Sequence, residues 1–176
     1  MALEYGGMRN QNQRFSANSN PESTDVSQLV QQVLKELGPE FERQSVCVEA
    51  DLSELVVTIV PTTIQKAVRN LIQHALVASP DQGEISVTLI DGNYQWELEV
   101  ADSSNGENWY TVHPNQRKLP TIISNELDVH LSAAHRLALS QGGQIQTWNC
   151  PQGGIANVLI VPKHNESQTN LLRRSA

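Results

Sequence analysis

The chain has 176 residues and a net charge of −7, with 39% hydrophobic and 18% charged residues. That length suits one compact domain with loose ends, and the composition is ordinary for a globular protein. The acidic balance argues against nucleic-acid partners and anionic membrane surfaces, both of which need a basic footprint.

The opening MALEYGGMRNQNQ has no basic segment followed by an apolar block. No apolar run approaches the roughly 20 residues needed to span a bilayer, so the expected home is the cytoplasm, with no membrane span. Residues 9 to 24 read RNQNQRFSANSNPEST, rich in Asn, Gln and Ser with little to bury. They are expected to form a disordered or linker arm, so that residues 1–24 precede the domain. Asp25 is a candidate N-cap for a helix of about 16 residues. Its apolar stripe is Val26, Leu29, Val30, Val33, Leu34 and Leu37, with Gly38 a break and Phe41 continuing the same side. Val46, Val48 and Ala50 suggest a strand, as does the segment from Leu55 to Val60.

The stretch PTTIQKAVRNLIQHALVASP, Pro61 to Pro80, carries Ile64, Val68, Leu71, Ile72, Ala75 and Ser79 at helical spacing. One face should therefore meet a core. Pro61 suits a first helical position, where its missing N–H costs nothing. Asn70 and His74 sit four apart, one turn above each other on one side.

Two alternating strands follow. Ile85, Val87 and Leu89 mark the first, Tyr94, Trp96, Leu98 and Val100 the second, and Asp91-Gly92-Asn93 between them is a hairpin turn. Residues 102 to 126 show neither period, and a polar loop of that length is more often functional or mobile than ornamental. Leu127 to Ser140 reads as a helix with Val129, Ala133, Leu137 and Leu139 inward, closed by Gly142-Gly143. Strands Gln144 to Cys150 and Ile155 to Val161 end the domain around the turn Pro151 to Gly154. The tail from residue 164 to 176 is polar and expected to be flexible. Hairpins outnumber strand–helix–strand units. The expected fold is α+β, a two-layer sandwich of a mixed, mostly antiparallel sheet of about five strands with helices on one face.

Two cysteines, Cys47 and Cys150, fall in predicted strands without metal-type spacing, so they read as small buried hydrophobes with free thiols. No two histidines lie four apart on the last helix, which leaves a helical zinc site unsupported. Metal ligands and catalytic residues are therefore not assigned from these patterns.

Taken together, Asn70-Leu-Ile-Gln-His74-Ala-Leu-Val77, Asp102-Ser-Ser104-Asn-Gly106 and the closing GGQIQTWNCPQGGIANVLIVP resemble the ATP-binding catalytic domain of sensor histidine kinases, of the GHKL superfamily. The resemblance covers about Asp25 to Pro162 and rests on order and spacing. It implies the two-layer sandwich and a domain over residues 25–163. It also implies an ATP or ADP site with Mg and a partner protein in a signalling pathway, either a response regulator or a kinase.

Asn70, His74, Asp102, Gly106 and Lys118 are the nucleotide-binding positions it suggests. The family helix reads N-L-L-x-N-A-x-K, and its second Asn lends an oxygen to magnesium. Here that position is His74, and imidazole is a poor ligand for a hard ion. The basic residue of the pattern is Val77. Asn70 stands where hydrolysing cousins keep a Glu, and an amide cannot accept a proton, so water-driven hydrolysis by that route is not expected. Asp102 would accept from the adenine amino group, and Ser104 replaces a glycine of D-x-G-x-G. The phosphate-binding G-x-G-L-G-L aligns with Asp128-Val-His130-Leu131, where both glycines are lost and a negative charge is gained.

Two readings follow from the resemblance. The first is a degenerate module with weak or no turnover of ATP. The alternative is an active catalytic domain that transfers phosphate to a histidine on a partner or a missing domain. Each residue also has a plainer reading: a half-buried helix histidine for His74, a surface or capping amide for Asn70, a strand-ending turn for Asp102 and Gly106, and a solvated loop charge for Lys118.

Overall fold

A computed structural model describes residues 20–104, 127–151 and 153–163. It contains β1 (Glu22–Asp25), α1 (Val26–Gln44), β2 (Cys47–Leu52), β3 (Val56–Ile59), α2 (Pro61–Ala78), β4 (Glu84–Asp91), β5 (Gln95–Asp102), α3 (Leu127–Ser140), β6 (Gln144–Asn149) and β7 (Ile155–Pro162). The main sheet has five strands in the order β2-β4-β5-β7-β6, while β1 and β3 form a separate antiparallel pair. Only β2 and β4 run parallel; every other neighbouring pair is antiparallel. The three helices cover one face. This is the α+β two-layer sandwich that the alternation of periods implies.

Period two places Ile85, Val87 and Leu89 of β4 and Trp96, Leu98 and Val100 of β5 against the helices, all buried. From α2 come Ile64, Ala67, Val68, Leu71, Ile72 and Ala75, also buried. From α1 come Val26, Leu29, Val30, Val33, Leu37 and Phe41. These residues form one continuous core. Each fully buried aliphatic contributes roughly 1.5–3 kcal/mol.

Several local expectations need correction. Helix α1 does not break at Gly38 but continues through Pro39 to Gln44. A helix-interior proline costs about 3 kcal/mol. Here Pro39 and Lys35, whose carbonyl loses its helical donor, both lie on the solvent side, while Leu37 and Phe41 stay buried one turn apart. Burial of that pair carries the helix onward. Residues 22–24 of the expected arm belong to β1, which pairs with β3 in register from Glu22↔Ile59 to Asp25↔Val56.

Tyr94 is 80% exposed and precedes β5 rather than opening it. On α3 the buried residues are Ala134 and Ala138, with Leu131 and Leu137 packed beside them, whereas Val129 and Leu139 face solvent. Small alanines let α3 approach α2 closely, and this selects the contact face over the larger apolar side chains. Cys47 is exposed and Cys150 partly so; both thiols are free. No helix among the described residues is long and apolar enough to cross a membrane.

Candidate functional site

Helices α2 and α3 lie side by side over the end of the sheet where β5 finishes and β7 begins. Asn70 stands half-buried on α2. Its Nδ2 donates to the Lys66 carbonyl at 2.7 Å. Its Oδ1 accepts from Nδ1 of His130 on α3 at 3.2 Å. The two helices are therefore bridged by a polar contact at this level.

One turn further along α2, His74 is 4% exposed and turned toward the sheet. Asn157, 1% exposed in the middle of β7, donates from Nδ2 to His74 Nδ1 at 3.4 Å. In turn Asn157 Oδ1 accepts from the Thr147 hydroxyl on the edge strand β6 at 2.8 Å. A chain of side-chain hydrogen bonds thus runs from the sheet edge through the apolar interior to α2. Such buried polar groups persist because each is partnered.

At the end of β5, Asp102 points to the helix-facing side and is 5% exposed. One carboxylate oxygen, Oδ1, accepts from the Ser104 N–H at 2.9 Å and the Ile155 N–H at 3.4 Å. The other, Oδ2, is buried and has no partner among the described residues; the same holds for the Ser104 hydroxyl. Neighbouring segments clamp this turn. Gly154, at φ +89, brings its Cα face against the Asp102 carbonyl, where an added Cβ would stand 1.8 Å from the oxygen. On the other side the Glu84 N–H donates to Ser103 Oγ at 2.8 Å. A cleft of about 440 Å³ lies beside the turn on the outer face of the sheet, with Glu84, Ser86, Ala101, Ser103, Cys150 and Gly153 in its lining, on the side opposite the Asp102 carboxylate. Burial, then the nearby carboxylates of Glu99 and Asp102, push the Cys150 thiol pKa up. A larger cleft of about 760 Å³ lies between β1, α1 and the start of α2. Its Asp25 carboxylate is already engaged in capping α1.

No family model matches the chain. A curated relative, the adaptive-response sensory kinase SasA of Synechococcus sp. (strain CC9311), is 24% identical over 157 residues. The match takes in 85% of this chain but 41% of that protein, so the chain spans about two fifths of the relative's length. Among solved structures, the nucleotide-free catalytic domain of histidine kinase ThkA superposes with a TM-score of 0.69 at 22% identity, over 84% of this chain and 99% of that one. Histidine kinase ThkA in complex with the response regulator TrrA gives 0.64 at 21%, over 82% of this chain and 42% of that one. The chain has the fold of a sensor histidine kinase ATP-binding catalytic domain. The resemblance drawn from its motifs is borne out at that level.

Seen on the histidine kinase catalytic fold, the motif residues divide into two groups. The sheet-end turn holds a buried carboxylate oxygen without a partner among the described residues. The two motif residues on α2 are both hydrogen-bonded instead. Asn70 Oδ1 is occupied by His130, and His74 is committed to Asn157. Among the described residues no group of three or more His, Cys, Asp or Glu could hold a metal ion. Gly106 and Lys118 lie outside the described residues, as does most of the loop from 102 to 126. Sequence reasoning missed Asn157 and the Ser104 hydroxyl. A signal for Asn157 was present: it is the one polar side chain inside the apolar run IANVLIV, and a buried amide in a strand requires a partner across the layer.

Proposed function

We propose that this chain is a histidine-kinase-like signalling module that keeps an adenine-accepting turn but lacks a magnesium–triphosphate grip, and acts by engaging a partner protein with weak or no nucleotide turnover. The observation that carries this reading is the state of α2. Both of its motif side chains are spent within the protein, Asn70 on His130 and His74 on Asn157.

Magnesium on a triphosphate needs oxygen ligands at octahedral geometry. His74 offers nitrogen, faces the interior, and is followed by Val77 in place of a basic residue. Each charge-assisted contact absent from such a site removes roughly 1.5–3 kcal/mol. Two or three of them together weaken ATP binding by orders of magnitude. Asn70 supplies no general base for hydrolysis. By contrast, Asp102 presents a buried acceptor without a partner among the described residues, which an exocyclic amino group would satisfy. ThkA is a histidine kinase found in complex with a response regulator. That supports a response regulator, or the helical core of a kinase, as the kind of partner.

Calorimetric titration of ATP and ADP, each with and without magnesium, tests the reading. Weak binding of similar strength for both nucleotides, unchanged by magnesium, is expected. Micromolar ATP binding that requires magnesium would overturn it in favour of an active catalytic domain. No binding of either nucleotide would leave a scaffold without a nucleotide pocket.

A further inference from the structure

Charge is divided between the two layers of this fold. The five strands of the main sheet contain no Lys or Arg, whereas each of the three helices carries at least one. Register sends Glu49 and Asp51 of β2, Glu84 of β4, and Glu97 and Glu99 of β5 away from the helices, because they alternate with side chains packed in the core. Along β7 the outward positions are Ala156, Val158 and Ile160, an apolar floor exposed by 8% or less. Trp148 on β6 and Ile90 on β4 share that outer face by the same register, and they are 58% and 48% exposed. Large apolar side chains left in water and rimmed by carboxylates make up a docking surface.

In one register row Ser86, Ala101, Ala156 and Trp148 stand side by side across four strands. The first three are small, and the cleft of about 440 Å³ lies over Ser86 and Ala101 with Glu84 in its lining. It gives depth for a long side chain that ends in a cation. Trp148, at the end of the row, presents an aromatic ring to a second one. A nucleic acid or an anionic lipid surface would be repelled by the carboxylates. A second copy of the chain would set one acidic face against another, which like-charge juxtaposition disfavours.

We propose that the outer face of the sheet docks a basic amphipathic helix of a partner protein. The apolar side of that helix meets Trp148, Ile90 and the β7 floor, while Lys or Arg residues along its flanks pair with Glu84, Glu97 and Glu99. Charge complementarity selects this occupant and speeds its approach. A helix is also the element that already covers the other face of the same sheet, and a second helical layer buries an apolar sheet face in the same way. This surface deepens the partner-engaging reading proposed above, on which it rests, by naming where the partner sits and what chemistry it carries. Docking there needs no nucleotide, so its failure would leave the nucleotide titrations standing, and theirs would leave the docking result standing.

The probe is a model amphipathic helix of leucine and lysine, about 18 residues or five turns long, labelled for fluorescence anisotropy. A counterpart carries glutamate in place of lysine. The lysine peptide should bind the wild-type chain, and about tenfold more weakly when salt rises from about 50 to about 500 mM. The glutamate peptide should not bind. Glu97→Lys with Glu99→Lys, and separately Trp148→Ala, should each weaken binding about tenfold or more. Glu40→Lys with Glu42→Lys makes the same change of net charge on α1 and should weaken it far less. Equal loss in the two double variants would overturn the proposal, since overall charge alone would then draw the peptide. So would no binding of the lysine peptide at all. Binding that appears only once residues 164–176 are deleted would assign the face to the chain's own tail, and a dimer dispersed by Trp148→Ala in sedimentation would assign it to a second copy; either overturns the partner reading. A photoreactive group on the leucine side of the peptide should label β5, β6 or β7 of the wild-type chain. Labelling confined to the helices would overturn the proposal with no variant involved.

Discussion

Asn157 in the middle of β7 donates a hydrogen bond to His74 on α2, so the helix position that the motif would give to magnesium is tied instead to the sheet beneath it. Both residues are almost wholly buried. The amide is held from the far side by Thr147, which is exposed and can fall back on water if released.

Removing both members should therefore cost less than the two single removals added together. His74→Leu leaves Asn157 Nδ2 buried without its acceptor, and should destabilise the fold by about 1–3 kcal/mol. Asn157→Val alone should cost a similar amount, because the amide donor to His74 Nδ1 and the acceptor of the Thr147 hydroxyl are both lost. The double variant should lose clearly less than the sum, because apolar groups then meet across the layer. Urea denaturation of the four proteins measures the coupling. Strict additivity would show that the contact contributes nothing.

Gly154 carries a different constraint. Its φ of +89 and the 1.8 Å approach of a notional Cβ to the Asp102 carbonyl leave no room for any side chain. Backbone strain alone costs of order 1–3 kcal/mol, and the clash with a backbone atom adds to it. Gly154→Ala should lower the melting temperature by several degrees or more. It should also displace the Asp102 turn, so adenosine binding should weaken even at temperatures where the variant remains folded. Thermal melts and calorimetry on one preparation check both halves. Unchanged adenosine affinity in the folded variant would mean that the turn does not depend on this contact.

How much of this was legible in the chain depends on whether the cause was local. The α2 stripe and the β4 and β5 alternations are periodic, and periodicity is imposed by a single buried face, so those elements and the layered fold followed from spacing. The Asp102 turn was legible too, because a strand ending in Asp, Ser, Asn and Gly is locally distinctive. Helix α1 running through Gly38-Pro39 was not, since the burial of Leu37 and Phe41 that offsets the proline is tertiary. Nor was β1, because Glu22–Asp25 has no apolar alternation and is organised by its pairing with β3. The contact face of α3 was misjudged for a related reason. Leucine and valine outrank alanine in hydrophobicity, yet close approach of two helices favours the smaller side chain. The commitments of Asn70 and His74 were invisible for the same cause: their partners, His130 and Asn157, are 60 and 83 residues away.

Asp25 gives a prediction in pH. Its carboxylate accepts from the Ser27 hydroxyl at 2.7 Å, and from the Gln28 N–H and side-chain amide at 3.1 and 2.8 Å. These bonds favour the charged form, the Ser27 bond most, and hold its pKa below the ordinary 3.8. A lowered folded-state pKa stabilises the fold above the unfolded value, and that stabilisation is lost as pH falls through the folded value. Wild type should therefore be more stable than Asp25→Ala at pH 7. The gap should stay nearly constant down to about pH 5 and narrow below pH 4. Denaturation midpoints from pH 7 to pH 3 follow it. A gap that is flat over the whole range would mean that the capping bonds do not distinguish the charged from the neutral carboxyl.

Reinstating the asparagine of the family pattern at position 74 should not reinstate magnesium dependence. The position faces β7, so a shorter amide there would point into the sheet rather than at a cation. Asn70 would remain held by His130, so no second oxygen becomes available by that change. His74→Asn should thus bind ATP with the same affinity in magnesium and in chelator. It should also be less stable than the wild type by about 1–3 kcal/mol, because the shorter side chain leaves Asn157 Nδ2 poorly met. If magnesium instead tightens ATP binding to His74→Asn tenfold or more, position 74 reaches the nucleotide in solution. The grip would then have been lost through the identity of this one side chain rather than through its orientation toward the core.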